Sequence, residues 1–147
     1  MKENFTGKSS IVINAPVYKV WNALTQPELI KKYLLGANTE TDWKVGSPIR
    51  FTGEYQGKKY IDKGTILENV PQKRIVYNHW SSLSGKEDKP ENYQPISYNL
   101  DEDGKITTLT VTQGNIQSEK EREHAEKNWN AVLEELKNIV EKKSVSV

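Results

Sequence analysis

Two histidines, seven tyrosines, four tryptophans and no cysteine are the residues with which this chain can do chemistry. The missing thiol removes disulfides and cysteine nucleophiles. His79 and His124 are far apart and lack carboxylates at zinc-ligand spacing, so neither a metal nor a cofactor is called for. No Gly-x-Ser-x-Gly elbow, phosphate-binding glycine loop or His-Glu-x-x-His helix occurs, and no catalytic set is assigned. His79 has the most to offer. With an ordinary pKa of about 6.5, an imidazole can hydrogen-bond a ligand carbonyl or hydroxyl, or act as general acid or base. It can equally be a structural histidine near a strand end, and no orienting partner for it is evident. The aromatics exceed what core filling demands, and their polar tips want partners when buried. Ligand pockets are mostly apolar with a few convergent polar groups. Tyr55, Tyr77, His79 and Tyr98 can supply these, with Trp21, Tyr33, Phe51, Trp129 and Leu133 as apolar lining. Trp21 and Trp129 also fit plain core.

The element that must position these side chains is a helix from about Ser118 to Lys143. Ser118 and Glu121 have the spacing of a capping box. Ala125, Trp129, Val132, Leu133, Leu136, Ile139 and Val140 then recur at steps of three and four, a broad apolar stripe. Glu123, Glu126, Lys127, Asn130, Glu134 and Lys137 fall on the opposite face, while His124 lies on the charged side. Such a stripe requires a cover, and the upstream chain reads as a sheet.

Ser10 to Asn14 is the first expected strand. Pro16 opens a helix with Val17, Val20, Trp21 and Leu24 on one face, and Thr25 to Glu28 forms a second capping box before a short helix to about Leu34. Ile49, Phe51 and Tyr55 then alternate with Arg50, Thr52 and Glu54, the period of a strand with one wet face. Tyr60 to Val70 follows, with Gly64 marking a bulge or a close backbone approach. Lys73 to Trp80 comes next, with Ile75, Tyr77 and His79 assigned inward. Gln94 to Leu100 and Thr107 to Gln113 pair across the Asp103-Gly104 turn. The polar stretch Ser81 to Asn92 is a candidate lid. The sum is an α+β domain over residues 1–147: a curved antiparallel sheet of about six strands around the last helix, two short helices after strand one, and a disordered tail at 144–147.

With 28% charged and 35% hydrophobic residues the chain reads as globular. A net charge of +1, with short basic pairs flanked by acids, gives no ground for nucleic-acid binding. The start has no apolar h-region, and no run of about 18 apolar residues occurs. A cytoplasmic protein without membrane insertion, and a monomer, is expected.

Ile13-Asn14-Ala15-Pro16 followed by Val20 to Glu28, Asp42-Trp43-Lys44-Val45-Gly46, Gly64 to Pro71, Arg74-Ile75-Val76-Tyr77 with Trp80, Thr107 to Gln113 and Trp129 to Leu136 form an ordered set. This set resembles the activator-of-heat-shock-protein-90-ATPase-like family of the START-like, helix-grip superfamily (SRPBCC, Bet v 1-like). Two positions depart from the family pattern: Asn128 stands where a glycine is common, and Tyr33-Leu34 where an aromatic pair is common. The resemblance implies a helix-grip fold with a cavity between sheet and helix. One superfamily scaffold hosts many functions. Three readings therefore stand together: non-enzymatic binding of a small apolar molecule, lipid-like or aromatic polyketide-like; a co-chaperone-like module whose partner is a chaperone; and a cyclase- or hydrolase-type enzyme using His79 or a tyrosine.

Overall fold

The computed structural model describes residues 4–34 and 36–142, so the expected tail at 144–147 lies outside the described residues. The element order is β1 (Phe5–Ile13), α1 (Val17–Thr25), α2 (Pro27–Tyr33), β2 (Asn38–Glu40), β3 (Pro48–Tyr55), β4 (Lys58–Val70), β5 (Arg74–Ser81), β6 (Gln94–Asp103), β7 (Ile106–Ile116) and α3 (Glu119–Lys142). The strands form one curved, wholly antiparallel sheet in the order β1-β7-β6-β5-β4-β3-β2. It has seven strands rather than about six, because three residues at Asn38–Glu40 pair with β3 without any apolar alternation to announce them.

β1 begins five residues before the expected Ser10. Its first half is polar, yet Gly7 and Ser9 are buried because α3 passes close over them. A Cβ on Gly7 would stand 3.3 Å from Glu126 Cγ, so the bare backbone sets how near the helix can come. β1 is also an edge strand, and α3 packs chiefly against it. Glu126 accepts from the Lys8 amide (2.9 Å), Lys137 donates to the Val12 carbonyl (2.9 Å) and Glu141 accepts from the Asn14 amide (2.7 Å). Asn130 bonds the buried Ser9 hydroxyl. Glu126, Asn130 and Lys137, expected on a solvent face, are thus the row that closes the free edge of β1.

Ser118 caps α3 as read, its hydroxyl accepting from the Glu121 amide at 3.1 Å. The second capping box does not form. Gln26 occupies the N-cap of α2 without a side-chain cap bond, and the Thr25 hydroxyl instead donates back to the Trp21 carbonyl (2.9 Å) inside α1. Below α3 the core gathers Ile13, Val20, Leu24, Ile30, Ile49, Ile66, Ile75, Leu109, Val111, Leu133 and Leu136, all essentially fully buried. Among the described residues no helix is long and apolar enough to cross a membrane.

Candidate ligand-binding site on the concave face

Register decides which side chains share the concave face. Ile49 and Phe51 of β3 stand opposite Gly64 and Asp62 of β4; Asp62 is opposite Ser81 of β5; His79 is opposite Gln94 of β6; Ile96 is opposite Gln113 of β7. Side chains alternate faces along each strand, so two rows lie side by side on this surface. One is aromatic and the other is polar.

The aromatic row runs from β3 to α3. Phe51 and Tyr77 have ring centroids 6.0 Å apart, Tyr77 and Tyr98 5.9 Å, and Tyr98 and Trp129 6.0 Å, the last two edge to face. These are favourable aromatic geometries. The Tyr77 and Tyr98 hydroxyls meet at 3.1 Å. Burial holds both phenols protonated: Tyr98 is pushed up to about 12, and Tyr77 is raised well above its ordinary value, first by burial and then by its neighbour. Neither can serve as a base near neutrality. Two hydroxyls bring two donors and their mutual bond uses one, leaving one O–H to offer.

The polar row begins at Asp62 and His79, whose Oδ2 and Nε2 lie 3.0 Å apart with both side chains 22% exposed. It continues through amides. The Gln94 amide donates to the Asn115 carbonyl (3.3 Å), Gln113 donates to Gln94 Oε1 (2.8 Å), and the Trp129 indole N–H donates to Gln113 Oε1 (2.7 Å). The indole N–H is thereby satisfied, and each glutamine uses one of its two amide N–H groups. Asp62 does not close its account: Oδ1 is buried and has no protein partner. Tyr60, on the same face, rests its ring over Gly53, where a Cβ would come within 2.8 Å of the Tyr60 hydroxyl oxygen. Its phenol is raised by burial and then by the Asp62 charge, which places Tyr60 beside that carboxylate.

Between these rows β4 and β5 come unusually close. A Cβ on Gly64 would fall 1.7 Å from the Asn78 carbonyl oxygen. The ladder has no backbone pair between Lys63–Trp80 and Ile66–Tyr77; the Asn78 side chain accepts from the Thr65 amide instead (2.7 Å). Close approach, not a bulge, explains Gly64, and the register shift lies further on between Ile66 and Glu68.

The expected site residues divide accordingly. Phe51, Tyr77, Tyr98 and Trp129 meet, and His79 adjoins them through the polar row. Leu133 is core beneath α3. Tyr33 is buried and its hydroxyl is committed to the Ala23 carbonyl (2.7 Å), tying α2 to α1. Trp21 packs at the margin of the core, outside the ring row. Tyr55 does not join: it lies at the β3–β4 hairpin, 45% exposed, because the strand runs past the end of the concave face. Nor is the Ser81 to Asn92 loop a lid on this site. Trp80 donates to the Lys86 carbonyl (3.1 Å) and stacks on Tyr93, and Lys63 pairs with Asp88 (2.6 Å). Lys63 and Trp80 have the opposite parity to Asp62 and His79, so the loop folds on the convex side. It borders there an open groove of about 350 Å³ lined by Thr65, Asn78 and Tyr93 among others.

Asp62, Gln94 and Gln113 went unread in the sequence. Parity could have found them, since each extends a buried period-two series by one step: Asp62 before Gly64 and Ile66, Gln94 before Ile96 and Tyr98, Gln113 after Leu109 and Val111. Among the described residues no group of three or more His, Asp or Glu is placed to hold a metal ion.

A curved antiparallel sheet around a long C-terminal helix, with two short helices after β1, defines the helix-grip class. Residues 14–141 match the family model described as activator of Hsp90 ATPase homolog 1-like protein, and the chain belongs to that family. A search of curated proteins finds no match. The chain is similar to the solution structure of ChR145 from Cytophaga hutchinsonii, at 43% identity over 99% of both chains with a TM-score of 0.85. It shares its fold with the Aha1 dimer from Colwellia psychrerythraea, at 21% identity over 92% of this chain and 96% of that one (TM-score 0.70). It does so too with DynU16, a protein in the dynemicin biosynthetic locus, at 18% identity over 92% of this chain and 47% of that one (TM-score 0.77).

Proposed function

We propose that this protein binds a small, flat, largely apolar molecule at the concave face, without turning it over. One observation carries the reading: the row Phe51–Tyr77–Tyr98–Trp129 lies beside a partly exposed polar row, in which Asp62 pairs with His79 and Gln113 takes the Trp129 indole. Apolar rings supply burial at about 25 cal/mol per Å², and a few polar contacts orient what is bound. The flat rings of this row favour an aromatic, polyketide-like ligand ahead of a lipid-like one. The test is a panel of both compound types read by melting temperature and by tryptophan fluorescence. Binding to the native state alone raises the melting temperature by mass action. A panel that moves neither signal overturns the reading.

A second reading, a co-chaperone-like module, is favoured by the family description and by the Aha1 fold neighbour. Its measurement is the ATPase rate of a purified heat-shock-protein-90 chaperone with and without this protein. The Asp62–His79 contact also supplies the orienting partner that an acid–base histidine requires. Turnover of any panel compound that binds would move the function to the enzyme class.

A further inference from the structure

The geometry points to a ligand bearing a neutral hydroxyl donor, whose O–H is received by the free carboxylate oxygen of Asp62. This deepens the concave-face binding reading and rests on it. The inference follows from counting which hydrogen-bonding valences the polar row leaves open. Gln94 and Gln113 each use one of two amide N–H groups, on the Asn115 carbonyl and on Gln94 Oε1, and the Trp129 indole N–H goes to Gln113 Oε1. His79 Nε2 faces Asp62 Oδ2. In the neutral imidazole with that nitrogen carrying the proton, the other ring nitrogen is an acceptor. Asp62 Oδ1 is a second acceptor, buried and without a protein donor. A buried carboxylate oxygen left unpaired is costly, and a bond to a charged acceptor is among the stronger hydrogen bonds available. The Tyr60 phenol stands beside this carboxylate, yet no protein group donates to Oδ1, which is left open to the O–H of a ligand.

Three chemical classes can be ranked against it. A carboxylate ligand would bring like charge to Asp62. An ammonium would pair with it, but its charge would have to leave water beside the Phe51–Tyr77–Tyr98 rings, a far larger cost than burying a hydroxyl. A phenol or alcohol on a flat apolar body satisfies the acceptor while its rings lie along the aromatic row. Asp62 is opposite Phe51, and His79 is two residues from Tyr77, about 7 Å along the strand. A bicyclic aromatic thus spans from the carboxylate to the tyrosine pair, whose spare O–H can meet a carbonyl if the ligand has one.

The experiment uses the full chain and four probes sharing one ring system: 2-naphthol, 2-methoxynaphthalene, 2-naphthoate and 2-naphthylmethylammonium, titrated by calorimetry. The naphthol is expected to bind about 10-fold or more tighter than its methyl ether, as a hydrogen bond to a charged acceptor implies. The same preference should shrink to about 3-fold or less in Asp62→Leu, which removes both acceptors and adds some side-chain bulk. Should Asp62→Leu not fold, the preference of the unaltered protein for naphthol over ether, and its reduction in the near-isosteric Asp62→Asn, read the same quantity. Equal binding of naphthol and ether, or tightest binding of the carboxylate or ammonium, overturns the donor inference while leaving concave-face binding intact. If neither these probes nor the wider panel binds, both fall together.

Discussion

The two sides of the sheet answer α3 differently. At the β1 side the helix comes close enough that Gly7 is needed beneath it, and Glu126, Asn130, Lys137 and Glu141 reach the amides, carbonyl and hydroxyl that β1 presents. An edge that could recruit another strand is closed by the protein's own helix. At the β4–β5 side there is no such cover. The strands pinch at Gly64, a side chain replaces a backbone bond at Asn78, and a carboxylate oxygen lies buried without a partner. A helix gripping one flank fixes that flank and leaves the other to carry features that satisfaction of every bond would forbid. Such unsatisfied corners concentrate at functional sites.

The contrast can be broken most forcefully at the helix itself. Leu136, 1% exposed, anchors α3 over the covered flank; Leu136→Ala should lower unfolding free energy by about 2–5 kcal/mol in chemical denaturation. A loss near zero would mean that α3 is not held as described. Gly64→Ala probes the other flank. With no room for a Cβ, β4 must move from β5, at about 1–3 kcal/mol. The His79 ring resonances should shift with it, because the Asp62 contact spans the same two strands. An alanine accepted with unchanged stability and spectra would refute the close approach.

Smaller effects sharpen the comparison. Trp129→Phe keeps the ring contact with Tyr98 and removes the N–H that holds Gln113, with an expected cost of about 1 kcal/mol. Its informative readout is ligand affinity, which should fall if the indole orders the polar row. The least effect is expected at Glu141, whose carboxyl is held below the usual range by the Lys137 ammonium and then by the Asn14 amide. A depressed folded value means stability that is present above the ordinary glutamate range and lost as pH falls through the lowered value. The difference in melting temperature between the protein and Glu141→Gln should therefore narrow in acid. A gap that is constant across that range would show that the β1 edge does not depend on this charge.

Periodicity carried the fold a long way. The steps of three and four from Ala125 to Val140 located α3, and alternation in β3, β6 and β7 placed Phe51, Tyr98 and Val111 inward, because amphipathic burial writes itself into local spacing. The sequence also named all four members of the aromatic row, Phe51, Tyr77, Tyr98 and Trp129. What it did not determine was pairing across strands. That Asp62 meets His79, that Gln113 takes the Trp129 indole, and that Tyr55 overshoots the concave face depend on register and curvature, which no single segment encodes. The same holds for Glu126 and Lys137. On a helical wheel they are solvent-facing charges, and only the placement of α3 over an edge strand makes them partners for backbone groups more than a hundred residues away. Local spacing decided which residues share a face; tertiary packing decided which of them find a partner there and which polar atoms, Asp62 Oδ1 among them, do not.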